Sequence, residues 1–258
     1  MTKNFLFTTH DNKKNGGFTL AEVLITLGII GVVAAMTIPT LIKNYQKTVW
    51  VNQLKKSVST LEQGFQKMLA DEGVDSFKDT ELGLLCKSLP YYASGDDDGE
   101  LTEHTNILKK YFKIINANDK TTEGDNKTFG SEYNGTAYKL LYGEREYSGD
   151  GAIKLYMNDG TVFGFRLFFD NANYRYIDID VNGDEKKPNQ WGRDSFKFIL
   201  TDNMRLIPVG SKNYDKMFEN NGNKYWKNSD YYCSVNGNYS SGDGCAARII
   251  ENGWKMDY

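Results

Sequence analysis

The feature that most constrains this chain is an uncharged run of 20 residues, from Val23 to Ile42, that begins directly after Glu22. The run contains no Lys, Arg, Asp, Glu or His, and as far as Met36 it is almost wholly aliphatic. An apolar segment of roughly 20 residues is long enough to cross a bilayer as a helix. We therefore predict one membrane-spanning helix near the N-terminus. Because a carboxylate in such a segment is costly in lipid, Glu22 is a candidate functional residue.

Two ordinary interpretations could explain this apolar run, a secretory signal peptide or a single-pass membrane anchor, and a third concerns Glu22 alone. A secretory signal peptide has a shorter apolar core, roughly 7–15 residues, followed by a small-residue cleavage pattern. Here the run continues through Pro39 into an amphipathic pattern, as a retained helix would. An ordinary single-pass anchor explains the apolar residues, but not Glu22 or the Gly-Gly-Phe junction before it. For Glu22 alone, a side chain that reaches headgroup water at the interface is the third interpretation.

The junction Gly16-Gly17-Phe18-Thr19-Leu20-Ala21-Glu22 resembles the N-terminus of type IV prepilins and type II secretion pseudopilins. These families share a short basic leader ending in Gly, then Phe-Thr-Leu-x-Glu, then a hydrophobic helix. The resemblance covers about residues 17–69. It implies that a prepilin peptidase cuts between Gly17 and Phe18 and methylates the new amine of Phe18. Glu22 then corresponds to the glutamate that these families use in assembly, and Pro39 to a proline common at the end of the membrane part. Pro39 would act in assembly by letting the helix bend or melt locally as subunits pack, or would only mark the exit from the membrane.

The same resemblance implies a structural role, a location and a set of partners. The chain would be a pilin or pseudopilin of a type IV pilus or a type II secretion filament. It would wait in the bacterial inner membrane as a single-pass protein with an extracytoplasmic domain, and then enter a cell-surface or periplasmic filament. The implied partners are identical or homologous subunits, the prepilin peptidase, an assembly platform protein, an ATPase and membrane lipid. A minor-pilin adhesin or a membrane-tethered binding module is the alternative function.

Net charge and the motifs that are missing argue against two classes of function, nucleic-acid binding and catalysis. The 258 residues carry a net charge of −3, which argues against nucleic acid as the main ligand. The sequence contains no nucleophile elbow, no P-loop and no His-Glu-x-x-His motif, and its two histidines are isolated. We therefore predict that the chain is not an enzyme.

Helical spacing of apolar residues continues beyond the membrane segment. Leu54, Val58, Leu61, Phe65 and Met68 step by four or three residues and form one stripe. The predicted organisation is a leader over 1–17, a transmembrane or filament-core helix over 18–39, its amphipathic continuation over 40–72 and a globular domain over 73–258.

The globular part contains short helical patterns followed by strand patterns. Helices are predicted over 82–89 and 103–115. Strands are predicted over 138–142, 152–157, 161–168, 174–181, 196–200 and 204–209. Asn-Asp-Gly at 158–160 and Thr-Asp-Asn at 201–203 predict hairpin turns, and the polar residues 116–134 predict a long exposed loop. The predicted fold class is α+β and pilin-like, with one long N-terminal helix packed on an antiparallel sheet that carries long loops.

Three cysteines bear on the compartment. Cys233 and Cys245 flank a loop rich in Gly, Ser and Asn, and a disulfide between them suits an oxidising environment. Two reduced, packed cysteines are the other interpretation. Cys86 lies in the apolar sequence Leu84-Leu85-Cys86 and is predicted to be a small core residue.

One segment resembles part of a calcium loop. Oxygen-bearing side chains alternate along it up to a glycine, which is the first half of the calcium-loop pattern. The twelfth position is Asn189 rather than a bidentate Glu, so the second half is missing. The other interpretation is a strand that ends in an Asn-Gly turn with solvated carboxylates. The predicted calcium ligands are Asp178, Asp180, Asn182, Asp184 and, from a following segment, Asp194.

Overall fold

The computed structural model of the chain describes residues 17–88, 98–118, 138–142, 146–147, 153–166, 175–234 and 240–258. The first 16 residues of the predicted leader lie outside these ranges. The chain divides into two compact units, Met1–Tyr45 and Gln46–Tyr258. The unit boundary falls inside the first helix, close to the predicted end of the membrane segment.

A single helix of 53 residues, α1, runs from Leu20 to Glu72 and confirms the predicted long N-terminal helix. It continues through Pro39 without interruption. The helix ends at Gly73, whose φ of 66° is one that glycine adopts without strain. The amide of Val74 donates to the carbonyl of Leu69 at 3.1 Å, which closes the C-terminus in a Schellman-type arrangement.

The remaining helices are short and lie on either side of the strands in the sequence. Thr80 precedes the first of them, and its side-chain oxygen accepts the amide of Gly83 at 3.0 Å. In chain order they are α2 (Glu81–Ser88), α3 (Asp98–Tyr111), α4 (Lys212–Met217), α5 (Asp230–Cys233) and α6 (Cys245–Glu251), with 3-10 turns at Phe77–Asp79 and Trp226–Asn228.

Six strands form one antiparallel sheet in the order β1-β4-β5-β6-β7-β8. A separate pair, β2 with β3, forms a small second sheet. The tight connection between β4 and β5 contains Gly160, in keeping with the hairpin predicted there. The strands are β1 (Ile114–Asn118), β2 (Tyr138–Lys139), β3 (Glu146–Tyr147), β4 (Ile153–Met157), β5 (Val162–Arg166), β6 (Arg175–Asp180), β7 (Ser195–Leu200) and β8 (Leu206–Pro208).

One face of the sheet packs against the C-terminal part of α1 and forms the main core. Phe65 of α1 is fully buried, and its ring centroid lies 5.2 Å from that of Phe112 and 6.0 Å from that of Phe165 on β5. The predicted helical stripe therefore forms the inner surface of the domain. This arrangement confirms the predicted α+β, pilin-like fold class.

The opposite face of the large sheet is also buried, but it is far more polar. Tyr138 and Trp191 cover it in a small apolar cluster with Leu140 and Val162. Between these residues lie carboxylates and lysines from β4, β6 and the segment between β6 and β7. The candidate site residues of the globular part lie on this polar face.

The predicted helix over 103–115 is wrong at its C-terminal end. The helix ends at Tyr111, and Ile114 begins the edge strand β1, which pairs with β4. Short apolar runs fit both helix and strand periodicity, and pairing with β4 decides the outcome here. The loop predicted to begin at Asn116 thus starts as a strand, and residues 119–134 of that loop lie outside the described residues.

Candidate functional site

The predicted cleavage point lies in an exposed, irregular stretch directly before the first helix. Gly17, Phe18 and Thr19 have no regular secondary structure, and Phe18 is 89% exposed. The helix begins only at Leu20. The peptide bond between Gly17 and Phe18 therefore lies outside the helix, between two exposed residues. Cleavage and methylation there stay predictions.

Glu22 caps its own helix. Its Oε2 atom accepts hydrogen bonds from the amide and the hydroxyl of Thr19, each at 2.8 Å. In return the Thr19 hydroxyl oxygen accepts the amide of Glu22 at 3.3 Å. This reciprocal pattern is a capping box, and the carboxylate also lies where the helix dipole favours negative charge. Glu22 thus has a polar partner within its own chain before any assembly.

Sequence reasoning missed Thr19. The Thr-x-x-Glu spacing that signals a capping box is present in residues 19–22. The structure adds Thr19 as the group that orients Glu22.

The apolar part of α1 is exposed along its predicted membrane segment, apart from the half-buried Ala34. Its most apolar stretch of 18 residues has no buried residue within the described structure. Length and composition make it a candidate membrane span, the one such helix among the described residues. A core helix of a water-soluble protein would hide these side chains. Those exposed include Leu24, Ile25, Leu27, Ile29, Ile30, Val32, Val33, Met36 and Leu41.

The carboxylates predicted as calcium ligands are buried, and most have protein partners. Asp180 is fully buried and accepts the hydroxyl of Tyr138 at 2.6 Å and the amide of Gly183 at 2.8 Å. Asp194, also fully buried, accepts the amides of Asn189 and Gln190 at 2.9 and 2.7 Å. The alternative interpretation, in which Asp178 and Asp180 are solvated, is therefore wrong, because both are buried where the segment between β6 and β7 folds back over the sheet.

Burial dominates the electrostatics of this acidic pair. It raises the pKa of Asp180, and the nearby Asp194 carboxylate raises it further. Burial likewise raises the pKa of Asp194, against the effect of its two backbone hydrogen bonds. Burial and the charge of Asp180 together raise the pKa of Tyr138 well above its usual value. The pair therefore favours holding a proton.

The other predicted ligands are directed to other partners. Asp184 forms a buried ion pair with Lys154 of β4. Asp178 is 1% exposed, and Lys197 of β7 is its register partner. The side-chain amide of Asn182 donates to the carbonyl of Lys186 at 3.2 Å.

These arrangements do not favour a metal centre. Across the described ranges, no group of three or more His, Cys, Asp or Glu side chains is placed to hold a metal ion. One feature of the segment between β6 and β7 would nevertheless suit a cation. The Oδ1 atoms of Asn182 and Asn189 are buried there with no hydrogen-bond partner. Calcium binding stays a prediction. A calcium titration followed by thermal melting tests this prediction, and an unchanged melting midpoint in excess calcium would refute it.

The two C-terminal cysteines are joined in the structure. A disulfide links Cys233 at the end of α5 to Cys245 at the start of α6, with Cα atoms 5.0 Å apart. Cys86 is buried and free, in agreement with a core position. Burial raises the pKa of its thiol to about 12, so it is unreactive.

Comparison with known families adds one finding. Residues 12–38 match the family model of the prokaryotic N-terminal methylation motif, which is the prepilin-type cleavage and methylation segment. This match supports a type IV pilin-like or pseudopilin-like precursor, the class of a structural subunit. With the exposed apolar helix, it is consistent with membrane anchoring. The chain has no significant match among curated proteins or solved structures.

Proposed function

We propose that this chain is a structural subunit, a pilin or pseudopilin, of a bacterial type IV pilus or type II secretion filament. The observation that carries the proposal is the combination found in α1. The methylation motif, residues 12–38, includes most of an apolar helical segment with no buried residue, and the same helix continues into the core of a compact domain. A segment of this kind is stable only in lipid or packed against other apolar helices.

Processing would prepare the helix for assembly. In this proposal a prepilin peptidase removes the leader between Gly17 and Phe18 and methylates the amine of Phe18. The new cationic group lies four residues before Glu22, in the irregular segment that directly precedes the helix. The Glu22 carboxylate can then exchange its bonds to Thr19 for an amine, either its own or that of a neighbouring subunit.

Assembly would proceed through the first helical segment. Head-to-tail contacts between identical or homologous subunits generate open helical polymers rather than closed rings. Inside such a polymer a carboxylate is stable only if it meets a positive partner, so pairing with the amine would fix the axial register. The assembly platform protein and the ATPase would extract the subunit from the inner membrane, and the extracytoplasmic domain would coat the filament.

The first test is mass spectrometry of the protein from its native host. The expected N-terminus is a methylated Phe18. An intact Met1, or an N-terminus well beyond the apolar segment, would refute the proposed processing. Gly17→Leu should block the cut, and mature-sized protein from that variant would place the processing site elsewhere.

The second test separates assembly from insertion. Glu22→Ala should be inserted and processed normally but should yield few sheared filaments. Thr26→Ala is the matched control, because the Thr26 hydroxyl only donates to the carbonyl of Val23 in its own helix at 2.9 Å. Normal filaments from Glu22→Ala would refute the proposed role of the carboxylate.

A further inference from the structure

A buried lysine and a buried aspartate meet on the polar face of the sheet. Lys154 lies in the middle of β4, and Asp184 lies in the segment between β6 and β7, so 30 residues separate them. The Nζ atom of Lys154 is in direct contact with Oδ2 of Asp184. Only 6% of the lysine side chain and 7% of the aspartate side chain are exposed. This contact and a hydrogen bond from Tyr156, two residues further along β4, connect that strand to the segment.

The surroundings hold the aspartate carboxyl in one place. The hydroxyl of Tyr156 donates to the same Oδ2 atom at 3.2 Å. The side-chain amide of Asn189 donates to the backbone carbonyl of Asp184 at 2.7 Å, which fixes the loop beneath it. Position 164 of β5, the register partner of Lys154, is a glycine and places no side chain beside the amine. The two reacting groups thus have little freedom to separate.

We propose that Lys154 and Asp184 are joined by an intramolecular isopeptide bond. In a desolvated pair, proton transfer from the ammonium to the carboxylate gives a neutral amine and a carboxylic acid, which removes two buried charges. The amine nitrogen then attacks Cγ of Asp184. A C–N bond forms, one C–O bond of the carboxyl breaks, and one water molecule leaves.

The reaction needs no oxidant, reductant or other co-reactant, since the ammonium and the carboxylate together contain every atom of the amide and the water. The Tyr156 hydroxyl, which already touches the carboxyl oxygen, can donate a hydrogen bond to it as the bond to carbon breaks. A surface pocket lined by Tyr156, Asp184 and Glu185 opens beside the pair, and it gives the departing water a route to solvent. Holding the two groups together supplies the proximity that an uncatalysed amide bond lacks.

A second buried lysine on the same face provides an internal comparison. Lys197 of β7 is as buried as Lys154, and its Nζ atom lies 3.3 Å from a carboxylate oxygen of Asp243. Its Nζ also lies 4.7 Å from the ring centroid of Trp191. Lys154 has a cation–π contact as well, with its Nζ atom 5.5 Å from the ring centroid of Tyr156, so the two lysines differ in their carboxylates. Asp243 is 16% exposed, against 7% for Asp184, and lies at an ordinary ion-pair distance from Lys197. The proposal therefore predicts a bond at Lys154 and an ion pair at Lys197.

Intact-mass spectrometry of the full chain, purified in detergent, tests the proposal. The sample is reduced and alkylated first, so that the Cys233–Cys245 disulfide does not contribute, and its N-terminus is determined on the same preparation. We expect a mass lower than the sequence mass by one water molecule. A protease digest should contain a branched peptide that joins Lys154 to Asp184.

Two variants check the assignment. Lys154→Arg keeps the positive charge but cannot form the amide, so it should have the full sequence mass. Lys197→Arg, the matched control, should still lack one water. The wild-type measurement alone is decisive, because a full sequence mass together with separate linear peptides for the two residues would show a buried ion pair only. A water loss that persists in Lys154→Arg would also overturn the assignment.

Discussion

The contact between Gly64 and Phe112 gives the sharpest stability prediction. Gly64 lies on the buried face of α1, and a Cβ atom there would come within 2.1 Å of Cε1 and 2.6 Å of Cζ of Phe112. Distances below 3.0 Å essentially never occur for a real Cβ atom. The Phe112 ring is 5% exposed and packs on Phe65 and Phe165, so it cannot turn away freely. Gly64→Ala therefore has two opposing effects on stability, a gain in helix propensity and a steric overlap with Phe112.

The magnitudes decide which effect wins. Replacing an interior helical glycine by alanine stabilises a helix by about 1 kcal/mol. Overpacking a core costs about 1–3 kcal/mol, and occasionally more. An overlap this deep belongs at the upper end, and displacing Phe112 weakens two aromatic contacts worth about 0.5–1.5 kcal/mol each. We expect Gly64→Ala to lower the free energy of unfolding by about 2 kcal/mol.

Chemical denaturation of the detergent-solubilised chain, followed by circular dichroism, measures this change. Thr60→Ala is the control, since Thr60 is exposed on the same helix and its replacement changes helix propensity without an overlap. The double variant Gly64→Ala/Phe112→Leu should recover part of the loss, because a smaller side chain leaves room for the new methyl group. If Gly64→Ala is as stable as the wild type or more so, the proposed packing of Phe112 against the helix is wrong.

Two further predictions concern the polar part of the domain. Because the folded pKa of Asp180 is raised, the stability that this carboxyl contributes should be greatest below the ordinary Asp pKa of 3.8 and should be lost as the pH rises towards about 8. The loss should be at most about 1.4 kcal/mol per pH unit for this carboxyl, and Asp180→Asn should flatten it; melting curves that depend on pH identically in both proteins would contradict this origin. Cys233→Ser with Cys245→Ser should lower the free energy of unfolding by about 3 kcal/mol, whereas added reductant should leave the melting midpoint of that variant unchanged. A reductant-sensitive midpoint in the double variant would show that the effect of the reductant does not come from this disulfide.

Local signals in the sequence were enough to predict the long helix and most of the strands. The stripe from Leu54 to Met68 repeats at helical spacing over four turns. Tertiary packing favours the same helix, because the stripe is the face that enters the core. The Asn-Asp-Gly turn at 158–160 fixed the β4–β5 hairpin in the same way. The edge strand β1 was missed because its two isoleucines also continue the apolar pattern of α3. Its strand conformation depends on pairing with β4, some 40 residues further along the chain.

The two candidate sites also differ in how far they could be predicted from local sequence. The junction at residues 17–22 is a contiguous motif, so sequence alone located it, and the Thr19–Glu22 capping box could have been found by its spacing. The partners of the acidic segment could not, because Tyr138 and Lys154 reach it from strands 42 and 30 residues away. Alternating carboxylates look the same in a sequence whether they bind calcium, face solvent or fold under a loop. Burial distinguishes these outcomes, and burial is a property of the whole domain.

The two faces of the sheet are held by different interactions, and the difference has a measurable consequence. The face against α1 is closed by apolar side chains such as Phe65 and Phe165, whose contribution does not depend on pH. The opposite face buries Asp180, Asp194 and Lys154, and a buried charge is stable only when a proton, a partner or a bond neutralises it. Substitutions on the apolar face should thus change stability by the same amount at every pH. Substitutions on the polar face should change the pH dependence itself, so melting at several pH values distinguishes the two faces even where the size of the destabilisation is equal.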